Sequence, residues 1–206
     1  MSKREIFTDF LKTKFEGEKL AEIIVKFDVF FEQLCEINSQ INLFSRQTNL
    51  DDLWTIHFLD CLLILETGVN FSGKKICDFG TGGGLPGIPL AIVFPEAQIF
   101  MLDSKQKKLS AIDKICEKIG LSNCKTIHSR IEDAPEKYTA FFDIITCRSV
   151  KILPEFVKPM QKIIKKSGKI YLYKSVVLDD TELFASKKLT DVSREEIGKR
   201  VIVEIS

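Results

Sequence analysis

The stretch Ile76-Cys-Asp-Phe-Gly-Thr-Gly-Gly-Gly-Leu-Pro-Gly-Ile-Pro-Leu-Ala-Ile92 decides the reading of this chain. Lys75 to Phe79 is apolar enough for a short buried strand. Pro86 suits the first residue of a helix running from Gly87 to Phe94 and stopping before Pro95. Gly80 to Gly84 is then the turn from strand to helix. A plain turn needs one or two glycines, and here Gly80, Gly82, Gly83 and Gly84 crowd together. Bare backbone of that kind lets a ligand approach closely and lets residues take positive φ.

The same alternation continues downstream. Strands are expected at Gln98–Leu102, Cys124–His128, Phe141–Cys147, Lys169–Tyr173 and Arg200–Ile205. Helices are expected at 105–119, ended by Gly120, and at 153–165, ended near Gly168. Strands alternating with helices imply βαβ units and a doubly wound, mainly parallel sheet, with ligands beyond the carboxyl ends of the strands. The first third reads differently. Leu20, Ile23, Ile24, Phe27, Phe30, Phe31, Leu34 and Ile37 form one helical face, and a second helix is expected from Asn49 through Leu63, ended by Gly68. The chain is therefore read as one domain over 1–206, a core at 71–206 with a helical extension at 1–70.

Composition bounds the answer. The chain has 206 residues, 45% apolar content and a formal charge of +1, which fits a globular protein with a real core. No apolar run reaches the roughly 20 residues of a membrane span, and the N-terminal residues do not read as a signal peptide. Six scattered cysteines without a Cys-x-x-Cys pair read as buried reduced thiols in a cytoplasmic protein, with no metal framework. Charge is uneven. Residues 1–70 hold 7 Lys and Arg against 12 Asp and Glu, whereas 71–206 hold 23 against 17. Seven lysines between Lys151 and Lys174, opposed by Glu155 alone, form a candidate nucleic-acid footprint.

Two cofactors compete for the glycine turn. Gly82-x-Gly84-x-x-Gly87 with Asp103 about twenty residues on matches a dinucleotide fingerprint. The alternative pattern is Asp78-x-Gly80-x-Gly82-x-Gly84, with an acid at the strand end. A carboxylate there opposes an anionic pyrophosphate and favours the cationic sulfonium and amino groups of S-adenosyl-L-methionine. No Lys-Ser or Lys-Thr follows the glycines, which excludes a nucleotide-triphosphate loop. Asp103 suits the ribose of either cofactor. An oxidoreductase would also need a hydride-transfer site, and no Tyr-x-x-x-Lys or His pair supplies one.

Asp78-Phe-Gly-Thr-Gly-Gly-Gly-Leu-Pro-Gly-Ile-Pro-Leu-Ala-Ile92 resembles the signature of the bacterial 16S rRNA guanine-N7 methyltransferases, the RsmG or GidB family. Further pieces follow in that family's order: Ile41-Asn42-Leu43, His57-x-x-Asp60, Leu102-Asp103-Ser104, Ser129-Arg130-Ile131-Glu132, Cys147-Arg148-Ser149 and Tyr173-Lys174-Ser175. Phe44, Ile56, Cys61, Cys147 and Ser175 depart from its usual residues. The resemblance implies a class I, Rossmann-like methyltransferase with a seven-stranded sheet. It implies methyl transfer from S-adenosyl-L-methionine to N7 of a guanine near the decoding region of 16S rRNA, in naked RNA or in the small ribosomal subunit, by a monomer. A second reading, an RNA-binding or ribosome-assembly factor of the same fold without turnover, stays open at this stage.

The resemblance also assigns roles. Asp78, Gly80, Gly82, Gly84 and Leu85 are expected around the methionine part, Asp103 on the ribose, and Ile131 and Glu132 at the adenine edge. Arg148 is expected on the cofactor, on guanine O6 or on a phosphate. It cannot sit on N7, whose lone pair is the nucleophile. N7 carries no proton, so no general base is required. Asn42, His57, Asp60 and Lys174 complete the substrate-side candidates, with Lys174 expected as a phosphate contact or a solvated lysine.

Overall fold

The computed structural model describes all residues, 1–206. Seven strands form one sheet in the order β3-β2-β1-β4-β5-β7-β6. They are β1 (Lys75–Phe79), β2 (Gln98–Asp103), β3 (Cys124–His128), β4 (Phe142–Arg148), β5 (Ile164–Lys174), β6 (Lys187–Asp191) and β7 (Val201–Ile205). β1 to β5 pair in parallel, and β7 runs antiparallel between β5 and β6. The strand order reverses between β1 and β4, which opens a crevice at their carboxyl ends.

Six α-helical segments accompany the sheet: α1 (Lys3–Lys12), α2 (Gly17–Asn38), α3 (Asp60–Leu62), α4 (Gly87–Val93), α5 (Gln106–Ile119) and α6 (Pro154–Ile163). Ser2 and Glu5 cap α1 reciprocally, satisfying two of its orphan amides. Gly120, at φ 77°, closes α5 in the left-handed conformation. Side chains alternate across β1. Ile76 joins a core of 39 buried residues on one face, while Cys77 and Phe79 join a second core of 19 on the other. The larger core runs from Phe7 in α1 through Phe27, Phe30 and Phe58 to Ile99 and Met101 in the sheet. The N-terminal helices thus share one hydrophobic interior with the sheet. Aromatic rings join them: Phe30 stacks on Phe58 at 5.0 Å and Phe7 meets Phe27 edge-on at 4.8 Å.

Four expectations need correction. The segment after Asn49 is not one α-helix. It passes through 3-10 turns (Leu50–Asp52), a π-helical run (Leu53–Leu59), α3 and a second 3-10 run (Leu63–Thr67) before Gly68 ends it. Pro86 precedes α4 and does not open it. α6 stops at Ile163, and Gly168 lies inside β5, where the pairing slips beside Asp143. A Cβ on Gly168 would stand 2.5 Å from Ile164 Cγ1 and 2.9 Å from Asp143 O, so this glycine permits a bulge and not a helix end. β6 had no counterpart in the sequence reading: Lys187-Lys-Leu-Thr-Asp191 is a half-exposed edge strand whose one apolar residue, Leu189, faces solvent.

Candidate functional site

A cleft of about 510 Å3 lies over the carboxyl ends of β1, β2 and β4, within the range of small-molecule sites. Gly80, Thr81, Gly82 and Gly83 form its floor, together with Leu85. Asp103 stands at the end of β2, where Oδ2 accepts from Gly82 N (3.1 Å) and Oδ1 from Lys105 N (2.8 Å). Ser129, Arg130, Ile131 and Glu132 form the wall after β3, and Arg148, Ser149, Val150 and Phe156 the wall after β4. The last side is a roof from the N-terminal part: Leu43, Phe44, Ser45 and His57.

Asp78 takes a different place from the one expected. It is fully buried and does not line the cleft. Its Oδ2 accepts from Thr81 Oγ1 (2.6 Å) and from Gly87 N (2.8 Å), the first residue of α4. The carboxylate therefore ties the glycine turn to the helix from behind. Gly84 also lies off the cleft: a Cβ there would stand 2.5 Å from Ile88 Cδ1, so this glycine lets α4 pack. The glycine that approaches the roof is Gly83. Its Cβ would lie 2.8 Å from Leu43 O. Leu43 is held there because the buried Asn38 side chain accepts from Leu43 N (2.8 Å) and Phe44 N (3.0 Å).

Burial pushes the Asp78 carboxyl up to about 6 from an ordinary 3.8, against the pull of its Thr81 and Gly87 bonds. A folded-state value above the unfolded one means stability that is present at low pH and lost as pH rises. A shift of about two units corresponds to roughly 3 kcal/mol. Asp78→Asn is therefore expected to gain stability relative to the native chain between pH 4 and pH 7. Urea unfolding of both proteins across that window checks it, and a constant difference would refute it.

His57, Asp60 and Arg148 come together although about 90 residues separate them. Arg148 Nη1 donates to Asp60 Oδ2 (3.0 Å), and Arg200 Nε donates to Asp60 Oδ1 (2.8 Å). Arg148 Nη2 lies 3.1 Å from His57 Nδ1. A guanidinium only donates, so Nδ1 accepts and His57 carries its proton on Nε2. Burial first, and then the Arg148 charge, push the imidazole down to about 3. His57 is thus neutral at physiological pH. Arg148 Nη1 also reaches Ile56 O (3.4 Å), a carbonyl of the π-helical run. This irregular turn lets His57, Asp60 and Ile56 O all face one guanidinium. Tyr173 on β5 adds a bond from its hydroxyl to Cys61 O (2.9 Å).

Two substrate-side candidates lie elsewhere. Asn42 is exposed and outside the cleft. Lys174 is not a solvated lysine and does not line the cleft: its ammonium is paired with Asp180 Oδ2 at 2.5 Å, with side-chain exposures of 10% and 4%. The lysine-rich stretch changes meaning with it. Lys151, Lys162, Lys165, Lys169 and Lys174 all have acidic partners, most of them distant in sequence, which leaves Lys158 and Lys166. All six cysteines are free, four of them buried. No three His, Cys, Asp or Glu side chains converge as a metal site.

The residues present fit S-adenosyl-L-methionine. A Cβ on Gly82 would meet nothing nearer than Gly80 O at 3.8 Å, so the turn leaves open space. A carboxylate, Asp103, stands at its lip, and no basic side chain comes from the glycine turn itself.

Comparison with known proteins agrees with this geometry. The family described as "rRNA small subunit methyltransferase G" matches residues 23–199. The chain belongs to that family. Ribosomal RNA small subunit methyltransferase G of Desulfitobacterium hafniense is 30% identical over 194 residues, covering 93% of this chain and 80% of the relative. The protein of the same name from Christiangramia forsetii is 35% identical over 177 residues, covering 82% of each. Among solved structures, a SAM-dependent methyltransferase from Aquifex aeolicus superposes with a TM-score of 0.60 at 13% identity, covering 85% of this chain and 98% of that one. The magnesium protoporphyrin IX methyltransferase of Synechocystis, solved with bound SAM, gives 0.58 at 15% identity, covering 85% and 96%. The fold is that of class I SAM-dependent methyltransferases, and membership of the family replaces the oxidoreductase alternative.

Proposed function

We propose that this protein transfers a methyl group from S-adenosyl-L-methionine to N7 of one guanine in 16S rRNA, near the decoding region. It acts as a single methyltransferase domain and a monomer in the cytoplasm. The observation that carries the reading is the cleft over β1 and β4, floored by the glycine turn, edged by Asp103 and roofed by Leu43–Ser45. No helix is long and apolar enough to cross a membrane.

When bound, S-adenosyl-L-methionine supplies an electrophilic methyl carbon on a sulfonium. Asp103 would hold the ribose hydroxyls, and Ile131 and Glu132 would hold the adenine edge. Gly80, Gly82 and Gly83 would let the backbone pass the methionine part, with Leu85 packing nearby. Asp78 and Gly84 act indirectly, by fixing the turn to α4. Arg148 faces the guanine from the end of β4, fixed by Asp60. None of these groups needs to remove a proton, because N7 presents a free lone pair. The work of the site is alignment and exclusion of water, which supplies up to about 7–11 kcal/mol in the best models.

Asp103→Ala is expected to weaken cofactor binding by about 10- to 100-fold. It removes charge-assisted bonds worth roughly 1.5–3 kcal/mol and frees the Gly82 and Lys105 amides. Isothermal titration with S-adenosyl-L-methionine checks this, and unchanged affinity would remove Asp103 from the ribose site. The reaction itself is tested with tritiated cofactor. Small ribosomal subunits and naked 16S rRNA, both from a strain lacking this gene, are labelled and mapped by cleavage at 7-methylguanine. One labelled guanine is expected. Cofactor binding with no label on either substrate would leave the RNA-binding or assembly reading in its place.

A further inference from the structure

The loop after β4 is held at both ends. Arg148 is anchored by Asp60 at the near end. At the far end Ile152 N donates to Asp180 Oδ2 at 2.8 Å. The same oxygen takes Lys174 Nζ at 2.5 Å, and Lys174 Nζ reaches Val150 O at 3.4 Å. Between the anchors, Ser149 sits at φ 59°, a strained conformation for a non-glycine residue. Val150 is pressed toward the cofactor turn: a Cβ on Gly80 would stand 2.6 Å from Val150 Cγ2. Ser149 and Val150 both line the cleft, whereas Asp180 and Lys174 do not.

We propose that Asp180 is a positioning residue for methyl transfer, and that with Lys174 it holds Ser149 and Val150 in the wall of the cleft after β4. The proposal rests on the methyltransferase reading above. Asp180 touches no cleft surface, so it acts only through the loop. A buried pair is a costly way to gain stability, since desolvation of both charges offsets their attraction. What the pair adds is direction. One carboxylate oxygen joins the end of β5, the loop after β4 and the 3-10 turn Asp179–Leu183. The loop cannot relax from its strained turn while that oxygen holds Ile152. In-line displacement is sensitive to such placement, where an error near 1 Å can cost about a hundredfold in rate.

The test uses the full chain and the small-subunit substrate. The double variant Lys174→Met with Asp180→Leu removes both charges and the acceptor of Ile152 N together, which avoids an unpaired buried ion. Its kcat is expected to fall at least about tenfold, while its affinity for S-adenosyl-L-methionine stays within about twofold. Adding Ser149→Gly, which takes φ 59° freely, is expected to restore part of the rate. Asp180→Glu keeps the charge and the lysine pair but moves the acceptor by one methylene. It is expected to fold normally and to show the same split between kcat and cofactor affinity, which covers the case of a double variant that does not fold. Native turnover in the folded variants overturns the proposal. So does a parallel loss of rate, cofactor affinity and melting temperature without recovery by Ser149→Gly. If the native protein labels no RNA, the function reading has failed, which the native control distinguishes from failure of this proposal.

Discussion

Replacing Asp60 by alanine is expected to destabilise the fold by about 3–5 kcal/mol and to abolish methyl transfer. Each oxygen of this carboxylate serves a different arginine, Arg148 and Arg200, and its side chain is 6% exposed. Arg200 is 27% exposed and can turn to water, but Arg148 is 10% exposed and cannot. Removing Asp60 leaves the Arg148 guanidinium buried with only His57 Nδ1 and Ile56 O as acceptors. That is a large part of a typical total stability of about 5–15 kcal/mol. Stability and function separate in a double variant. Asp60→Leu with Arg148→Met removes both buried charges, so much of the lost stability is expected to return. Turnover is not expected to return, because the guanidinium proposed to meet the guanine is gone. Urea midpoints and tritium incorporation check both halves. An Asp60→Ala protein within about 1 kcal/mol of native stability would show that Arg148 finds another partner.

This network also shows what the sequence could and could not reveal. The glycine turn, the acid at the end of β2, and Ile131 with Glu132 were legible because each is a local signal at a strand end. His57 and Asp60 were visible as a spacing, and Arg148 as a residue after a strand. Their meeting was not visible, because it depends on packing an N-terminal segment onto the sheet. Arg200 was missed as the second partner for the same reason. The lysine stretch misled as a footprint because Glu136, Asp143, Asp180 and Glu204, which neutralise most of it, come from other elements. The roof had one available signal, the fourth glycine of the turn. Four closely spaced glycines exceed what cofactor contact needs, and the extra one, Gly83, is where the N-terminal part comes down. Asn38, buried at the end of a helix whose face is otherwise apolar, was the other half of that signal.

Gly83→Ala is accordingly expected to cost about a hundredfold in kcat/KM for methyl transfer. The added methyl would stand 2.8 Å from Leu43 O and 3.3 Å from Leu43 C. Those are backbone atoms, fixed by the Asn38 side chain, so they cannot turn aside as a flexible side chain would. Either the glycine turn sinks or the Leu43–Ser45 roof lifts, and both admit water to a site that depends on excluding it. The neighbouring substitution provides the contrast. Gly82→Ala places its methyl in open space but at φ 59°, which costs about 1 kcal/mol of strain, or about fivefold in affinity for the cofactor if the turn relaxes only in the free protein. The two variants thus differ in what they disturb: Gly82→Ala the turn alone, Gly83→Ala the contact between turn and roof. Hydrogen exchange of the amides of Leu43 and Phe44, which the Asn38 carboxamide oxygen protects, is expected to quicken in Gly83→Ala and to stay native in Gly82→Ala. Native turnover and native exchange in Gly83→Ala would mean that the roof is not closed on the turn in solution, and that the N-terminal part contributes packing without shaping the site.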